Sequence, residues 1–175
     1  MPETWPPEYD ANYVPTPESQ YWNRELETMD THEREQTIIL PKLQAQLQYA
    51  YQHSPFYRSK WDLVGVNPND IQSLADFEQI PFLTKAEIRE DQLKYPPFGS
   101  NLCISRKEIA AVHGTSGTTG KPTAFGISKG DMLRIGEAHA RIMWSFGIRP
   151  DDTVFIGSFF SLYLGSWGAL AGTQR

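Results

Sequence analysis

This sequence has little of several features that would assign a protein to a class at once. Its one cysteine, Cys103, excludes an intramolecular disulfide and fits a reducing compartment. The 16 lysines and arginines form no basic run and the formal net charge is -5, which argues against nucleic-acid binding. No apolar run approaches the ~20 residues that span a bilayer, and the N-terminus lacks the basic and apolar regions of a signal peptide. We therefore expect a cytoplasmic protein that binds neither nucleic acid nor membrane.

Metal ligation is also not predicted, because no group of cysteine, histidine and acidic residues has the spacing of a metal site. What remains is the composition of a soluble globular protein. The chain has 175 residues, 39% of them hydrophobic, which is enough for one domain with its own core. Five prolines in residues 1–20 preclude regular structure there, so this stretch is predicted to be an arm, either held to a surface by its aromatic residues or loose. The domain itself is then residues 21–175.

The most informative stretch is His113–Thr123, which reads HGTSGTTGKPT. Glycines have no Cβ and let backbone N–H groups come close to a ligand, and successive N–H groups in one concavity bind anions. The hydroxyl groups add donors, and the lysine adds a mobile positive charge suited to phosphate. The sequence therefore predicts a polyphosphate-binding loop, most simply for ATP, formed by Thr115, Ser116, Gly117, Thr118, Thr119, Gly120 and Lys121.

Two other interpretations of this loop compete. Clusters of glycine, serine and threonine are commonly flexible connections. The P-loop of ordinary NTPases fits less well, because five residues rather than four separate Gly114 from Gly120 and Pro122 stands where that motif has a magnesium-binding hydroxyl. Proline also disfavours helix at the preceding residue, so we predict a turn between two strands rather than the start of a helix.

Local signals predict the elements around this loop. They are a helix that starts at Asp30, is kinked or split by Pro41 and ends at Ser54, a turn at 67–70, a short helix at 73–79, a helix opened by Thr84, strands at Ile109–His113 and Thr123–Ile127, a helix from Ser128 to Gly147, and a buried strand at Thr153–Ile156. Strand, helix and strand in this order predict an α/β fold with layered helices and sheet. His113 is expected to bond either to backbone or to a loop hydroxyl, whereas His139 is interpreted as a surface residue.

The string TSGTTGKPT resembles the phosphate-binding loop of the adenylate-forming (AMP-forming acyl-CoA synthetase) superfamily. The flanks resemble phenylacetate–CoA ligases in particular, and the similarity covers about residues 21–175. The matching segments are Tyr21–Asn23, Ser54–Arg58, Pro81, Phe82, Thr84, Lys85, Pro97–Gly99 and the histidine before the loop. The resemblance implies the N-terminal part of an AMP-binding domain that is incomplete at its C-terminus, since the family's remaining motifs would lie beyond Arg175.

The resemblance also implies a function. It is the ATP- and Mg²⁺-dependent activation of an aryl carboxylic acid, through an acyl-adenylate, to its coenzyme A thioester, with Lys121 as the catalytic residue of this stretch. The aromatic run 155–167 is either packed core or the acyl pocket, and Phe159, Phe160 and Tyr163 are the candidate pocket residues. Phenylalanine and serine replace the family's Tyr-Gly pairs there, so we predict an aryl or medium-sized apolar acid rather than phenylacetate itself.

Two other functions stay open. One is a free-standing nucleotide- or partner-binding protein without catalysis, and the other is an adenylating enzyme that transfers its acyl group to a protein or an amine. If the chain is part of a ligase, we expect the 175 residues alone to be unable to complete adenylation. We also expect them to expose apolar sheet surface and to self-associate.

Overall fold

The computed structural model describes residues 5–115 and 122–175, which form helices around one small sheet. The α-helices are α1 (Arg24–Thr28), α2 (Thr31–Arg34), α3 (Leu40–His53), α4 (Pro55–Leu63), α5 (Leu74–Phe77), α6 (Lys85–Lys94), α7 (Lys129–Ser145) and α8 (Leu164–Thr173). A π-helical segment, Glu35–Ile39, joins α2 to α3, and 3-10 turns lie at Pro68–Asp70 and Arg106–Glu108. The strands are β1 (Ile109–Gly114) and β2 (Ala124–Ser128).

The described part of the N-terminal arm, residues 5–20, has turns and bends but no helix or strand, as its prolines predict. The arm is held to the side chains of α7 and the turn after it. Trp144 and Arg149 donate to the carbonyl of Ser19 at 3.1 and 3.3 Å, and Arg134 donates to the carbonyl of Pro7 at 3.2 Å. These donors satisfy carbonyl groups of a segment that has no ladder of its own. The described part of the arm is therefore held to the domain by donors from the domain, whereas the expectation had assigned this task to the arm's own aromatic residues.

The helix predicted from Asp30 onward is present but divided. The Asp30 carboxylate caps α2 by accepting the N–H groups of His32 and Glu33, as predicted. The chain then passes through the π-helical segment before α3 begins, and Pro41 lies in the first turn of α3. The backbone is helical on both sides of this boundary, and Leu40 donates its N–H to the carbonyl of Glu35. Pro41 therefore removes one bond from a continuous helix, and the wider π-helical turn lies directly before it.

Helix α3 ends at Ser54 as predicted, but α4 begins at the next residue and was not predicted. The Ser54 hydroxyl accepts the N–H of Tyr57, and Pro55 occupies the first position of α4, which suits its fixed φ. The dipeptide that ends one helix therefore starts another. The two helices enclose the first core cluster, which consists of Leu47, Ala50, Trp61 and Ile71.

The predicted short helix and capping box are both confirmed. Ser73 caps α5, and Thr84 and Glu87 form the capping box that opens α6. Lys60 on α4 reaches the same Glu87 carboxylate and joins the two helices by an ion pair.

This ion pair gives a pH prediction. Hydrogen bonds from Lys60 first, and from Thr84 next, lower the pKa of Glu87 from 4.5 to about 2. Because the pKa in the folded protein lies below that of the unfolded chain, the stabilisation is present above about pH 4.5 and is lost as the pH falls from there towards 2. In Lys60→Met we expect the Glu87 pKa to rise towards 4.5, measured by NMR titration of its carboxyl carbon, whereas Lys94→Met should leave it unchanged. A Glu87 pKa near 2 in Lys60→Met would mean that Thr84 alone sets it.

The two strands around the predicted loop are present and antiparallel, with Val112 opposite Gly126 and Gly114 opposite Ala124. Helix α7 follows β2 and opens with the predicted capping box of Ser128 and Asp131. Gly147 comes directly after the C-cap of α7 with a φ of 88°, a conformation that favours glycine. The hairpin and α7 thus fold from local signals.

The predicted buried strand at Thr153–Ile156 is wrong. The segment is irregular, and Phe155 is 91% exposed. A strand needs a neighbour for its N–H and C=O groups, and within the described ranges only β1 and β2 pair with each other. The sheet is therefore a hairpin with helices beside it.

Helix α8 was not predicted, because its glycines are typical of a loop in the sequence. It packs along α7 with glycines at the contact. A Cβ on Gly168 would lie 2.3 Å from the His139 ring, and a Cβ on Gly172 would lie 3.0 Å from the backbone nitrogen of Ala140. The interpretation of His139 as a surface residue is therefore wrong, since it is half-buried in the contact of two helices.

Candidate active site at the base of the loop

Residues Ser116, Gly117, Thr118, Thr119, Gly120 and Lys121, predicted to bind phosphate, lie outside the described residues. What the structure describes is the base from which the loop projects. The N–H of Thr115 donates to the carbonyl of Thr123 at 3.1 Å, and the N–H of Thr123 donates to the Thr115 hydroxyl at 3.3 Å. The two bonds continue the pairing of β1 and β2 and bring the ends of the loop together.

The aromatic segment 155–167 is bonded to the same base. The carbonyl of Leu162 accepts the N–H of Gly114 at 2.8 Å and lies 3.2 Å from Nδ1 of His113. Because a carbonyl oxygen only accepts, His113 carries its proton on Nδ1 when it makes this bond. The expected bond of His113 to backbone is observed, and it ties the loop base to the aromatic segment. The loop hydroxyls beyond Thr115, which were the other expected partner, lie outside the described residues.

The three candidate pocket residues lie in this segment but have different surroundings. Tyr163 lines a cleft together with Thr115. Phe160 packs edge-on against Trp167 with ring centroids 5.0 Å apart, and Phe159 is 79% exposed. Of the three, only Tyr163 lines the cleft at the loop base, and the assignment of all three as an acyl pocket stays a prediction.

The cleft lined by Tyr163 is open, has a volume of about 1540 Å³, and runs from the loop base along the hairpin to the start of α7. Its far wall holds Tyr49, Tyr57 and Cys103. Burial raises the pKa of each of these groups above its ordinary value, so all three are neutral at pH 7. A thiol in this state is a poor nucleophile, and the cleft is suited to binding rather than to covalent catalysis.

The first turn of α7 brings charge to this cleft. The Asp131 carboxylate accepts the N–H and hydroxyl of Ser128 at 2.8 and 2.7 Å, and Arg134 donates to it at 2.7 Å. Burial raises the pKa of Asp131, but the bonds from Arg134 and Ser128 outweigh burial and hold the pKa below its ordinary value. Asp131 is therefore ionised at pH 7 and occupied by structural partners, which does not suit a general base.

One positioning residue was missed by the sequence analysis. Gln92 on α6 donates its side-chain amide to the carbonyl of Ala124 at 2.7 Å and accepts the N–H of the same residue at 3.2 Å. This pair of bonds imitates a strand ladder and fixes α6 to the first residue of β2. No local signal could have indicated it, because the two residues are 32 positions apart.

Magnesium would neutralise charge on a bound polyphosphate. In residues 5–115 and 122–175, however, no three His, Cys, Asp or Glu side chains are grouped to hold a metal ion. Magnesium in nucleotide sites is held mainly by the phosphates together with one or two carboxylates, so its use by this protein stays a prediction. In the same ranges, no helix has both the length and the apolar character needed to cross a bilayer.

The chain matches no protein-family model. It is 36% identical over 138 residues to the phenylacetate-coenzyme A ligase of Aromatoleum evansii, and 31% identical over 140 residues to that of Escherichia coli K12. These alignments cover 79% and 80% of this chain but 30% and 31% of the relatives. The chain thus spans about a third of the length of the curated relatives it matches.

Solved structures extend the similarity. A 2-hydroxyisobutyryl-CoA ligase in complex with 2-HIB-AMP and CoA superposes with a TM-score of 0.92 at 52% identity, over 98% of this chain and 36% of that chain. The same ligase in its postadenylation state with 2-HIB-AMP gives a TM-score of 0.91 at 50% identity. The predicted fold class, a portion of the large α/β domain of an adenylate-forming enzyme, is confirmed by these superpositions.

Proposed function

The chain belongs to the phenylacetate–CoA ligase family of adenylate-forming enzymes, and on this premise we propose that the protein activates a small carboxylic acid with ATP and transfers it to coenzyme A. In the first half-reaction an oxygen of the carboxylate attacks the α-phosphorus of ATP, the bond to the β-phosphate breaks, and pyrophosphate leaves. In the second the thiol of coenzyme A attacks the acyl carbon, its proton is released, and AMP leaves.

The observation that carries the proposal is the attachment of two segments to one strand end. The loop with the phosphate-binding sequence starts at Thr115, and the aromatic segment is bonded through Leu162 to His113 and Gly114. Adenylation needs the acid and the polyphosphate in contact, since reacting atoms must be held roughly 3–3.5 Å apart. Two segments that share a base can meet this requirement.

The protein's task in the first half-reaction is to hold the leaving phosphates and spread their charge. We assign that task to the hydroxyl groups of Thr115, Ser116, Thr118 and Thr119, the N–H groups at Gly117 and Gly120, and Lys121. Lys121 is the predicted catalytic residue, because its positive charge would offset the negative charge that develops on pyrophosphate.

For the acid we propose an aryl or medium-sized apolar compound that lies on Phe159, Phe160 and Tyr163. A short branched 2-hydroxy acid is the second candidate, since a 2-hydroxyisobutyryl-CoA ligase is 52% identical to this chain and a phenylacetate ligase 36%. Assays of thioester formation with phenylacetate and with 2-hydroxyisobutyrate distinguish the two. The acid with the higher kcat/KM identifies the class.

The test of the first half-reaction is carboxylate-dependent exchange of pyrophosphate into ATP. We expect Lys121→Ala to reduce the exchange rate by about a hundredfold or more, because a charge that stabilises the leaving group is lost. Lys94→Ala, at an exposed position of α6, is the matched control and should retain the rate. Exchange that survives Lys121→Ala would refute the role of this lysine.

The same assays separate the alternatives. Exchange followed by acyl transfer to an amine or a protein, with no thioester, would identify a different acyl acceptor. The assays are made on the natural full-length protein, since the 175 residues alone are expected not to complete adenylation. In that protein, nucleotide binding without any exchange would identify a binding protein.

A further inference from the structure

We propose that Trp167 on α8 is a positioning residue of the acyl side, which fixes residues 158–163 against the loop base and thereby controls the use of the acid. This inference rests on the proposed function and adds to it a residue that is not among the three candidate pocket residues. It starts from the backbone of residues 158–163, which we call the aromatic turn. The aromatic turn has no helix or strand, so its carbonyl groups depend on partners from outside it.

Three carbonyl groups of the aromatic turn accept hydrogen bonds from outside it, and two of the donors are side chains of α8. The Ser166 hydroxyl donates to the carbonyl of Phe159 at 3.1 Å, and Nε1–H of Trp167 donates to the carbonyl of Ser161 at 2.8 Å. The third carbonyl, that of Leu162, accepts from β1. The aromatic turn is therefore held between α8 and the loop base.

The indole ring of Trp167 also contacts both sides of this arrangement. It lies edge-on to Phe160, with ring centroids 5.0 Å apart and an interplanar angle of 81°. Its centroid is 6.3 Å from that of His113 at the loop base. Edge-on aromatic pairs at such separations are favourable beyond the area that they bury. One side chain thus bonds to the backbone of the aromatic turn, packs on one of its rings and meets the loop base.

Trp167 has a fixed place because α8 lies close along α7. A Cβ on the next residue, Gly168, would lie 2.3 Å from the His139 ring, so the two helices are in direct contact at this level. The rings of Phe159 and Tyr163, in contrast, are 79% and 55% exposed. Their positions follow from the backbone that carries them, and Trp167 helps to fix that backbone.

This arrangement separates the acid side of the site from the phosphate side. The ends of the phosphate loop are joined by hydrogen bonds between Thr115 and Thr123, and Trp167 takes no part in them. The acid is proposed to lie on the rings of the aromatic turn. Without Trp167 the acid would be misplaced relative to ATP, and a displacement of about 1 Å can reduce a rate about a hundredfold.

The first test measures the hold on the aromatic turn without any catalysis. Chymotrypsin cleaves after phenylalanine and tyrosine, and cleavage of a folded protein requires local opening of the chain. In the natural full-length protein we expect Trp167→Leu to raise the rate of cleavage within residues 158–163 about tenfold, the effect of losing a hydrogen bond and an edge-on aromatic pair. Trp167→Phe keeps a ring but no N–H, and it should lie between Trp167→Leu and the wild type.

Trp144→Phe is the matched control for this test. The Trp144 indole also donates its N–H to a backbone carbonyl, that of Ser19 at 3.1 Å, and lies edge-on to Trp22 with centroids 5.7 Å apart. Its loss should leave cleavage within residues 158–163 at the wild-type rate. Cleavage of Trp167→Leu at the wild-type rate overturns the inference, as does an equal increase in Trp144→Phe, which would indicate general loosening of the fold.

The second test separates the use of the acid from that of ATP. In the pyrophosphate exchange assay on the full-length protein, Trp167→Leu should raise the KM of the acid about tenfold or more and leave the KM of ATP unchanged. Equal changes in both KM values would overturn the inference and indicate a structural role. If the wild type shows no acid-dependent exchange, the proposed function fails, and cleavage still decides whether Trp167 holds the aromatic turn. If the wild type does exchange and Trp167→Leu matches it in both KM values, only this inference fails.

Discussion

Replacing Glu137 by alanine is expected to destabilise the fold by about 3–5 kcal/mol, because it removes the charge partner of a buried arginine. Glu137 lies on α7 and is 4% exposed. Its Oε1 accepts the indole N–H of Trp22 at 2.9 Å and Nε–H of Arg141 at 2.7 Å, and its Oε2 lies 2.6 Å from Nη2 of Arg175. One carboxylate therefore connects Trp22, which follows the N-terminal arm, to α7 and to Arg175 after α8.

The burial of Arg175 determines the size of this effect. The side chain of Arg141 is 40% exposed, so water can replace the lost carboxylate there. The side chain of Arg175 is only 6% exposed, and its other contact is a hydrogen bond to the carbonyl of Asp10 at 2.6 Å. Without Glu137 its charge would stay buried with a neutral acceptor alone.

Urea unfolding of the purified protein measures the effect, with Glu90→Ala as the control at an exposed acid of α6. The double variant Glu137→Met, Arg175→Met replaces both charges by apolar groups and should be more stable than Glu137→Ala, since no unpaired charge remains. A loss below about 1 kcal/mol in Glu137→Ala would show that the pair behaves like an exposed one.

Several elements that begin with a capping signal could be predicted from the sequence, although α1 and α4, capped by Asn23 and Ser54, were not. Asp30, Thr84 and Ser128 each satisfy N–H groups within three residues, so the information lies in a few adjacent positions. The turn from β1 to β2 was predicted for the same reason, because Pro122 excludes a helix at that point. Local chemistry was sufficient in these cases.

Elements that depend on distant partners could not be predicted. The apolar segment Thr153–Ile156 has the composition of a buried strand but no partner strand in the described chain. The glycines of α8 are typical of a loop in the sequence, and they become helical because α7 lies against them. An element's type was thus misjudged wherever a contact far along the chain determines it.

The candidate site divides in the same way. The loop could be recognised because its residues are consecutive, and the resemblance to adenylate-forming enzymes depends on that string. Gln92 carries no motif, since its significance comes from the approach of α6 to β2 in three dimensions. The sequence therefore predicts where phosphate would bind, and the structure shows what supports the ends of that loop.

Replacing Gly172 by leucine is expected to destabilise the fold by about 3 kcal/mol, at the upper end of the usual cost of overpacking. A Cβ at this position would already lie 2.6 Å from Cβ of His139 and 3.0 Å from the backbone nitrogen of Ala140. A backbone atom cannot move aside by a change of rotamer, so α8 would have to separate from α7. The ring centroids of Trp167 on α8 and His113 at the loop base are 6.3 Å apart. The separation would carry Trp167 away from His113 and would disturb the aromatic segment beside the loop base.

Gly130→Leu is the matched control, because Gly130 is also a helical glycine but its nearest neighbour is the flexible guanidinium group of Arg134 at 3.3 Å. The free energy of unfolding should fall in Gly172→Leu and change little in Gly130→Leu, where a better helix former offsets the displacement of Arg134. Equal stability of the two variants would refute the close packing of α7 and α8. If Gly172→Leu also weakens the use of the acid substrate more than that of ATP, the position of α8 controls the acyl side of the site. Equal weakening of both would instead indicate a general loss of folding.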